Sequence, residues 1–153
     1  MNNWRQIFSE NILIPRRIEE RQTNRLKSIY RLLQQKEIEG NLDLEDVPIT
    51  SLGNVEYVEG SLYLARTLIT NFNNLKHIGN VLWLYNNPIQ SLGSLEYVGG
   101  YLDLRDTTIQ SLGNLQSVGG NLYLFNTPIA KMSKAQRYEI LKNVKVKGII
   151  SYA

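Results

Sequence analysis

The sequence predicts an α/β repeat solenoid, in which a parallel β-sheet of about six strands follows an N-terminal helical cap and a short C-terminal helix precedes the last strand. The main observation is a tandem repeat with a period of 20 residues between Gly40 and Ile129. Each repeat contains a Leu-x-Leu segment, at residues 42–44, 62–64, 82–84, 102–104 and 122–124. Such self-similarity is typical of a solenoid, because one repeat cannot bury its apolar face until the next repeat stacks on it.

Apolar residues fill further repeat positions at the same interval, which predicts a continuous core. Ile49 is followed by isoleucine at positions 69, 89, 109 and 129. Three more apolar positions recur, at residues 52, 72, 92 and 112, at residues 55, 75, 95 and 115, and at residues 58, 78, 98 and 118. Since alternate residues of the Leu-x-Leu segments are apolar, we predict strands near residues 41–45, 61–65, 81–85, 101–105, 121–125 and 149–152.

An open solenoid needs terminal caps, because its end layers would otherwise face water. Residues 1–37 are predicted to form the N-terminal helical cap, with a short helix over residues 2–13 and a longer helix from Arg16 to about Lys36. The repeats then occupy residues 38–130. The arginines at positions 16, 17, 21 and 25 leave a second interpretation open, namely a basic arm that binds nucleic acid.

Residues 131–153 are predicted to form a C-terminal helix and a terminal strand that cap the other end. A helix over residues 131–143 has Ser133 as a candidate N-cap. Residues 146–152 then repeat the apolar pattern of residues 58–64, which predicts the sixth strand. The lysines at positions 142, 145 and 147 are interpreted as charges that protect this strand edge from aggregation.

Several repeat positions are predicted to have special backbone roles. Prolines at 48, 88 and 128 should end the strands, and the polar residues Thr67, Asn87, Thr107 and Thr127 should hydrogen-bond backbone groups of adjacent repeats. Two glycine positions, one at 40, 60, 100, 120 and 148 and one at 53, 93 and 113, are predicted to be left-handed, since asparagine is the exception in each. A third, at 79, 99 and 119, is occupied by glutamate in earlier repeats and should need no such geometry.

Composition and charge indicate one intracellular globular domain of 153 residues. The chain has no cysteine, which excludes disulfides and thiolate metal sites. No signal peptide is recognised, and no apolar run approaches the ~20 residues that span a bilayer. Residues 41–130 carry 3 basic and 8 acidic side chains, whereas both flanking segments are basic. This distribution disfavours a nucleic-acid binder with a continuous basic face.

The repeat consensus L-x-L-x-x-T-P-I-x-S-L-G-x-L-x-x-V-G-G-x resembles short bacterial-type leucine-rich repeats, and is most similar to repeats of bacterial and bacteriophage proteins that read V-G-G-x-L-x-L. It lacks the L-P-x-L-P segment of bacterial effector repeats. The resemblance implies a leucine-rich-repeat-like parallel sheet on one face of a curved solenoid, with turns and extended segments on the other. It also implies binding rather than catalysis, and a cytoplasmic protein of a bacterium or a phage-infected host cell.

The sequence offers no catalytic, metal or cofactor site, so we expect a protein that is not an enzyme. Its single histidine, His77, is equivalent to Tyr57 and Tyr97 and is interpreted as a surface residue. Asp43 and Asp103 are three repeats apart, ~14 Å at ~4.8 Å per strand, which is too far for a paired-carboxylate site. No Walker loop, zinc-ligand spacing or nucleophile motif is present.

The outward side of the predicted sheet is the candidate binding face. Of its fifteen positions, three in each repeat, six are aromatic, against 9% of the whole chain. Such composition is typical of a binding hot spot, although aromatic residues also favour strands and stack across them. The candidate partner-binding residues are Tyr63, Trp83, Tyr85, Tyr101, Asp103, Arg105, Tyr123 and Phe125.

Two functions follow from this face. The first is a protein-interaction module, for which the resemblance suggests a phage origin, that binds a host or viral protein. The second is a structural protein that self-assembles into a homo-oligomer. Binding of single-stranded nucleic acid by base stacking is a third hypothesis, which the acidic charge of residues 41–130 disfavours. No membrane partner is expected.

Overall fold

A computed structural model describes residues 20–153, and it shows a parallel β-solenoid with a helix near each end. Helix α1 is Glu20–Leu33 and helix α2 is Lys134–Leu141. Ten two-residue strands lie between the helices and two follow α2. They are β1 Glu37–Ile38, β2 Leu42–Asp43, β3 Tyr57–Val58, β4 Leu62–Tyr63, β5 His77–Ile78, β6 Leu82–Trp83, β7 Tyr97–Val98, β8 Leu102–Asp103, β9 Ser117–Val118, β10 Leu122–Tyr123, β11 Lys145–Val146 and β12 Ile150–Ser151.

The strands form two parallel sheets of six strands each. Sheet I has the order β1-β3-β5-β7-β9-β11, and sheet II has the order β2-β4-β6-β8-β10-β12. In sheet II, Leu62 pairs with Leu82 and Tyr63 pairs with Trp83, which is the register that the 20-residue period requires. The predicted six-stranded parallel sheet is therefore confirmed as sheet II, whereas sheet I was not predicted.

The strands are shorter than expected because the backbone turns soon after each Leu-x-Leu segment. Ladder hydrogen bonds extend to Asp46, whose N–H donates to the Ala65 carbonyl at 3.1 Å. Asp46 itself has a φ of 60°, in the left-handed region. The equivalent residues Arg66, Asn86, Asp106 and Asn126 have φ values of 58°, 52°, 56° and 53°. Each strand thus turns at this position, which comes two residues before the prolines predicted to end it.

The core is a continuous apolar column between the two sheets. The leucines of the Leu-x-Leu segments and the isoleucine and valine positions of the repeat are all buried, for example Leu82, Ile89 and Val98 at 0% exposure. This arrangement follows from stacking of equivalent side chains, because each repeat covers the apolar face of the one before it.

Helix α1 covers the first repeat, and its C-terminal end is joined to it by hydrogen bonds. Leu33 and Ile29 are buried in the same core as the repeats. The Asn54 N–H donates to the Leu33 carbonyl at 2.8 Å. Val47 is also buried. In the first repeat it occupies the position that is threonine or asparagine in the later repeats. The predicted helix over residues 2–13 lies outside the described residues. The predicted start of the longer helix at Arg16 also lies outside them.

Helix α2 begins with the predicted N-cap. The Gln136 N–H donates to Ser133 Oγ at 3.2 Å, and the Ser133 N–H donates to the Gln136 side chain at 2.9 Å, which completes a capping box. After α2, the chain adds β11 to sheet I and β12 to sheet II. The predicted sixth strand is confirmed at Ile150–Ser151.

The glycine predictions are only partly correct. Gly53, Gly93 and Gly113 are left-handed, with φ of 59°, 52° and 55°. In the other predicted set only Gly40 is left-handed. The prediction is therefore wrong for residues 60, 100, 120 and 148. The third set, at 79, 99 and 119, has no positive φ, as predicted, but its members are tightly packed against the preceding repeat. A β-carbon on any of its members would overlap the carbonyl oxygen of the preceding repeat.

The polar series links adjacent repeats at one position. Asn87 Nδ2 donates to Thr67 Oγ1 at 2.7 Å and to the Leu64 carbonyl at 3.0 Å. Thr107 and Thr127 instead donate to carbonyls of their own repeats, Leu104 and Leu124, at 2.6 and 2.7 Å. An amide side chain is long enough to reach the preceding repeat, whereas the threonine hydroxyl closes a local turn.

Candidate interaction face

The predicted binding residues lie together on the outward side of sheet II and its continuation. We call the eight of them the aromatic face: Tyr63, Trp83, Tyr85, Tyr101, Asp103, Arg105, Tyr123 and Phe125. Strands β4, β6, β8 and β10 supply Tyr63, Trp83, Asp103 and Tyr123 at equivalent positions. Phe125 is 48% exposed and Tyr85 is 36% exposed, whereas the other aromatic rings are half-buried. The sequence therefore located a contiguous surface.

The aromatic rings contact one another in two pairs. The ring centroids of Tyr63 and Trp83 are 6.2 Å apart with planes tilted by 57°. Those of Tyr101 and Tyr123 are 6.0 Å apart in an edge-to-face arrangement. Burial of the Tyr101 ring is the main reason that the pKa of its hydroxyl is raised. These contacts restrict the rings, so they would lose little rotamer entropy on meeting a partner.

Arg105 lies between the rings of Tyr85 and Tyr123 and is held in place by Asp103. The Arg105 Nη2 to Asp103 Oδ2 distance is 2.6 Å and the Nε to Oδ1 distance is 2.9 Å. The guanidinium carbon lies 5.9 Å from the Tyr85 ring centroid and 5.6 Å from that of Tyr123. The hydrogen bonds that Arg105 donates to Asp103 raise the pKa of the guanidinium. The arrangement presents a preorganised cation between two aromatic rings.

Trp83 has one polar atom without a partner. Its indole Nε1 is buried and makes no hydrogen bond within the described part of the chain. An unsatisfied buried N–H costs ~1–3 kcal/mol. Its neighbour across the ladder, Asp103, is already paired with Arg105. The indole is therefore held at some cost in stability.

The outward positions differ in exposure, which the alternating pattern did not predict. Ser61 and Ala65 in the second repeat are buried at 2% and 1% exposure. Asp103, expected at the rim, is also buried, at 1%. Hence the accessible part of the aromatic face is concentrated in the third to fifth repeats.

His77 lies on sheet I, on a different sheet from the aromatic face. Its ring stacks on Tyr97, with centroids 4.6 Å apart and an interplanar angle of 13°. Among the described residues, no group of three or more histidine, cysteine, aspartate or glutamate side chains is placed to bind a metal ion. Within residues 20–153, no helix is both long and apolar enough to cross a membrane.

An ion-pair ladder beside sheet I was missed by the sequence interpretation. Lys36 Nζ and Lys76 Nζ each lie 2.8 Å from a carboxylate oxygen of Glu56. Hydrogen bonds from Lys36 and then Lys76 lower the pKa of Glu56 to about 2. The signal was present in the sequence, because residues 36, 56, 76 and 96 alternate lysine and glutamate.

Comparison with known proteins gives no assignment, since no family model, curated protein or solved structure matches the chain. The structure itself defines a repeat protein, a parallel β-solenoid with a period of about 20 residues. What the aromatic face does must therefore be argued from its own side chains.

Proposed function

We propose that the chain is a non-enzymatic interaction module that binds a protein partner through the aromatic face. The observation that carries the proposal is Arg105, which Asp103 holds between the rings of Tyr85 and Tyr123. Arginine and aromatic residues dominate the binding energy of protein interfaces, and a guanidinium held in place before binding loses less entropy.

Exposure supports the same proposal. Phe125 and Tyr85 offer accessible apolar area. Around them lie half-buried rings that contact one another in pairs, Tyr63 with Trp83 and Tyr101 with Tyr123. Contiguous exposed aromatic groups are typical of interaction sites on monomeric proteins. The repeat consensus supports the further proposal that the module is of the short bacterial or bacteriophage leucine-rich-repeat type and acts in the cytoplasm.

Site-specific photocrosslinking tests the proposal. A photoreactive phenylalanine analogue replaces Phe125 in one sample and Gln116, an exposed residue beside sheet I, in a control sample. We expect a crosslinked partner from lysate with the probe at 125 and not at 116. That partner, once purified, should then bind the wild-type chain and bind the Arg105→Ala variant more weakly.

The same experiment separates partner binding from self-assembly. If the crosslinked product at position 125 is a second copy of the chain, light scattering on the pure protein should show an oligomer that Phe125→Ala dissociates. That outcome would replace the proposal by the structural, self-assembling alternative. Equal crosslinking at 125 and 116 would contradict both.

A further inference from the structure

A second aromatic surface lies on sheet I. At equivalent positions of β3, β5 and β7, the rings of Tyr57, His77 and Tyr97 follow one another across the sheet. The Tyr57 and His77 centroids are 6.2 Å apart, and those of His77 and Tyr97 are 4.6 Å apart. Tyr57 is 41% exposed and Tyr97 is 36% exposed. The rings thus form an ordered row in which Tyr57 and Tyr97 are partly open to solvent.

An open groove of about 630 Å³ runs along the first part of this stack. Tyr57 and His77 line it, and the buried side chains of Ile38 and Val58 contribute to its base. Its rim carries the exposed carboxylates of Glu37, Glu39 and Glu59. We call this groove, together with the Tyr97 ring that stacks on His77, the tyrosine groove.

The charge of the tyrosine groove is not neutralised within the described residues. The neighbouring lysines, Lys36 and Lys76, are both paired with Glu56. None of the ion pairs found in residues 21–153 includes Glu37, Glu39 or Glu59. A ligand that carries a positive charge would therefore meet both carboxylates and open aromatic rings.

We propose that the tyrosine groove binds an extended, arginine-bearing segment of a partner protein. A guanidinium group is planar, so it can stack on a ring while its N–H groups donate to a carboxylate. The molecule uses this chemistry elsewhere: Arg105 pairs with Asp103 beside two tyrosine rings, and the Arg137 guanidinium lies 4.3 Å from the Tyr152 ring centroid. The groove offers the same two recognition elements, an aromatic ring and a carboxylate. Among the described residues, no cationic side chain is paired with its carboxylates.

A blocked tetra-arginine peptide is the probe, titrated into the full chain at low ionic strength by calorimetry. We expect binding that Tyr57→Leu and Tyr97→Leu each weaken about fivefold, the loss for one cation–π contact of ~1 kcal/mol. Glu59→Gln should weaken it by a similar factor. Tyr138→Leu, the same change at an exposed tyrosine of α2, is the matched control and should leave the affinity unchanged. Blocked tetra-lysine should bind several-fold more weakly.

Chemical-shift mapping keeps the test decisive if a leucine variant unfolds. Bound tetra-arginine should shift the backbone amides of Tyr57, His77 and Tyr97 and leave that of Trp83 unchanged. Three outcomes overturn the proposal: no binding, an equal loss with Tyr138→Leu, or loss with Glu59→Gln while Tyr57→Leu and Tyr97→Leu bind as wild type does. Self-association that Tyr57→Leu abolishes would assign the groove to a second copy and also overturn it.

Discussion

Asp103 and Asp43 hold equivalent positions in sheet II, yet only Asp103 is buried. Both carboxylates accept a hydrogen bond from the backbone N–H two residues later, at 3.0 Å in each case. Asp103 is additionally paired with Arg105, whereas the residue two after Asp43 is Glu45. The two sites share a local hydrogen bond and differ in burial and in one ion pair, so they provide a comparison of a buried, paired carboxylate with an exposed one.

We expect Asp103→Asn to destabilise the fold more than Asp43→Asn does. The first change removes a charge-assisted pair whose carboxylate is buried, at a cost of ~1–2 kcal/mol, since the Arg105 side chain remains 43% exposed and regains water. The second change leaves the local hydrogen bond largely intact and should cost under ~0.5 kcal/mol. Urea unfolding of both variants measures the difference, and equal midpoints would show that the pair contributes nothing.

Gly99 and Gly100 differ in what an added β-carbon would meet. Gly99→Ala should destabilise more than Gly100→Ala, because a β-carbon at Gly99 overlaps the backbone carbonyl of Gly79. A β-carbon at Gly100 would lie 2.8 Å from the side-chain Oδ1 of Asn80 and 3.0 and 3.1 Å from its backbone carbonyl carbon and oxygen, so the backbone would have to shift much less there than at Gly99. Thermal melts of the two single variants are the measurement. A lower melting temperature for Gly100→Ala would contradict this reading of the packing.

The period determined most of what could be predicted of the fold. Leu62 and Leu82 pair as expected because identical spacing leaves one register that buries both. Sheet I was missed because its two-residue strands, such as Tyr57–Val58, lie where the resemblance implied turns and extended segments. The turn at Asp46 and its equivalents also had a signal, since four of those five residues are aspartate or asparagine, which tolerate positive φ.

The candidate site was predictable in position but not in accessibility. Alternation along a strand assigns a side chain to one side of a sheet, so the aromatic face could be drawn from residue numbers. How much of each side chain is covered depends on its neighbours across the ladder. Asp103 lies between Trp83 and Tyr123 across the ladder and also pairs with Arg105, and a single sequence does not specify the rotamers of these neighbours. The ion-pair ladder at Glu56 does have a signal in the sequence, because lysine and glutamate alternate at residues 36, 56, 76 and 96.

The Glu56 ladder predicts a pH dependence of stability. Because the two lysines lower the folded-state pKa of Glu56 to about 2 from a usual 4.5, the ladder stabilises the fold fully above pH 4.5. That contribution is lost as the pH falls from about 4.5 towards 2. We expect Glu56→Gln to melt below wild type at pH 7 and level with it near pH 2. Glu96→Gln, at the equivalent position two repeats further on, is the control. A constant gap between wild type and Glu56→Gln at all pH values would contradict the assignment.

Leu33 tests whether α1 is an energetic part of the core. The residue is fully buried on the helix that covers the first repeat, so Leu33→Ala should cost ~2–5 kcal/mol. Leu68, a leucine of the repeats that is 38% exposed, provides the same substitution as a control and should cost far less. Deleting residues 1–37 should then leave a repeat segment that is insoluble or lacks fixed packing. A soluble fragment 38–153 that unfolds cooperatively would show that α1 is not needed as a cap.

The aromatic face predicts that binding and folding respond differently to the same substitution. Phe125→Ala should weaken binding of the crosslinked partner by ~2 kcal/mol or more, as truncation of an interface anchor does. Its effect on the free energy of unfolding should be small, because the ring is 48% exposed. Trp83→Ala should weaken both, since the half-buried indole also contacts Tyr63.

Tyr138 supplies the matched control, because it is an aromatic residue 66% exposed on α2 and away from the face. Tyr138→Ala should change neither affinity nor stability. The decisive quantity is the ratio of lost affinity to lost stability, measured by calorimetry with the purified partner and by urea unfolding. A Phe125→Ala variant that binds as tightly as wild type, or no more weakly than Tyr138→Ala, would place the partner on another surface and leave the rings of sheet II as cross-strand packing alone.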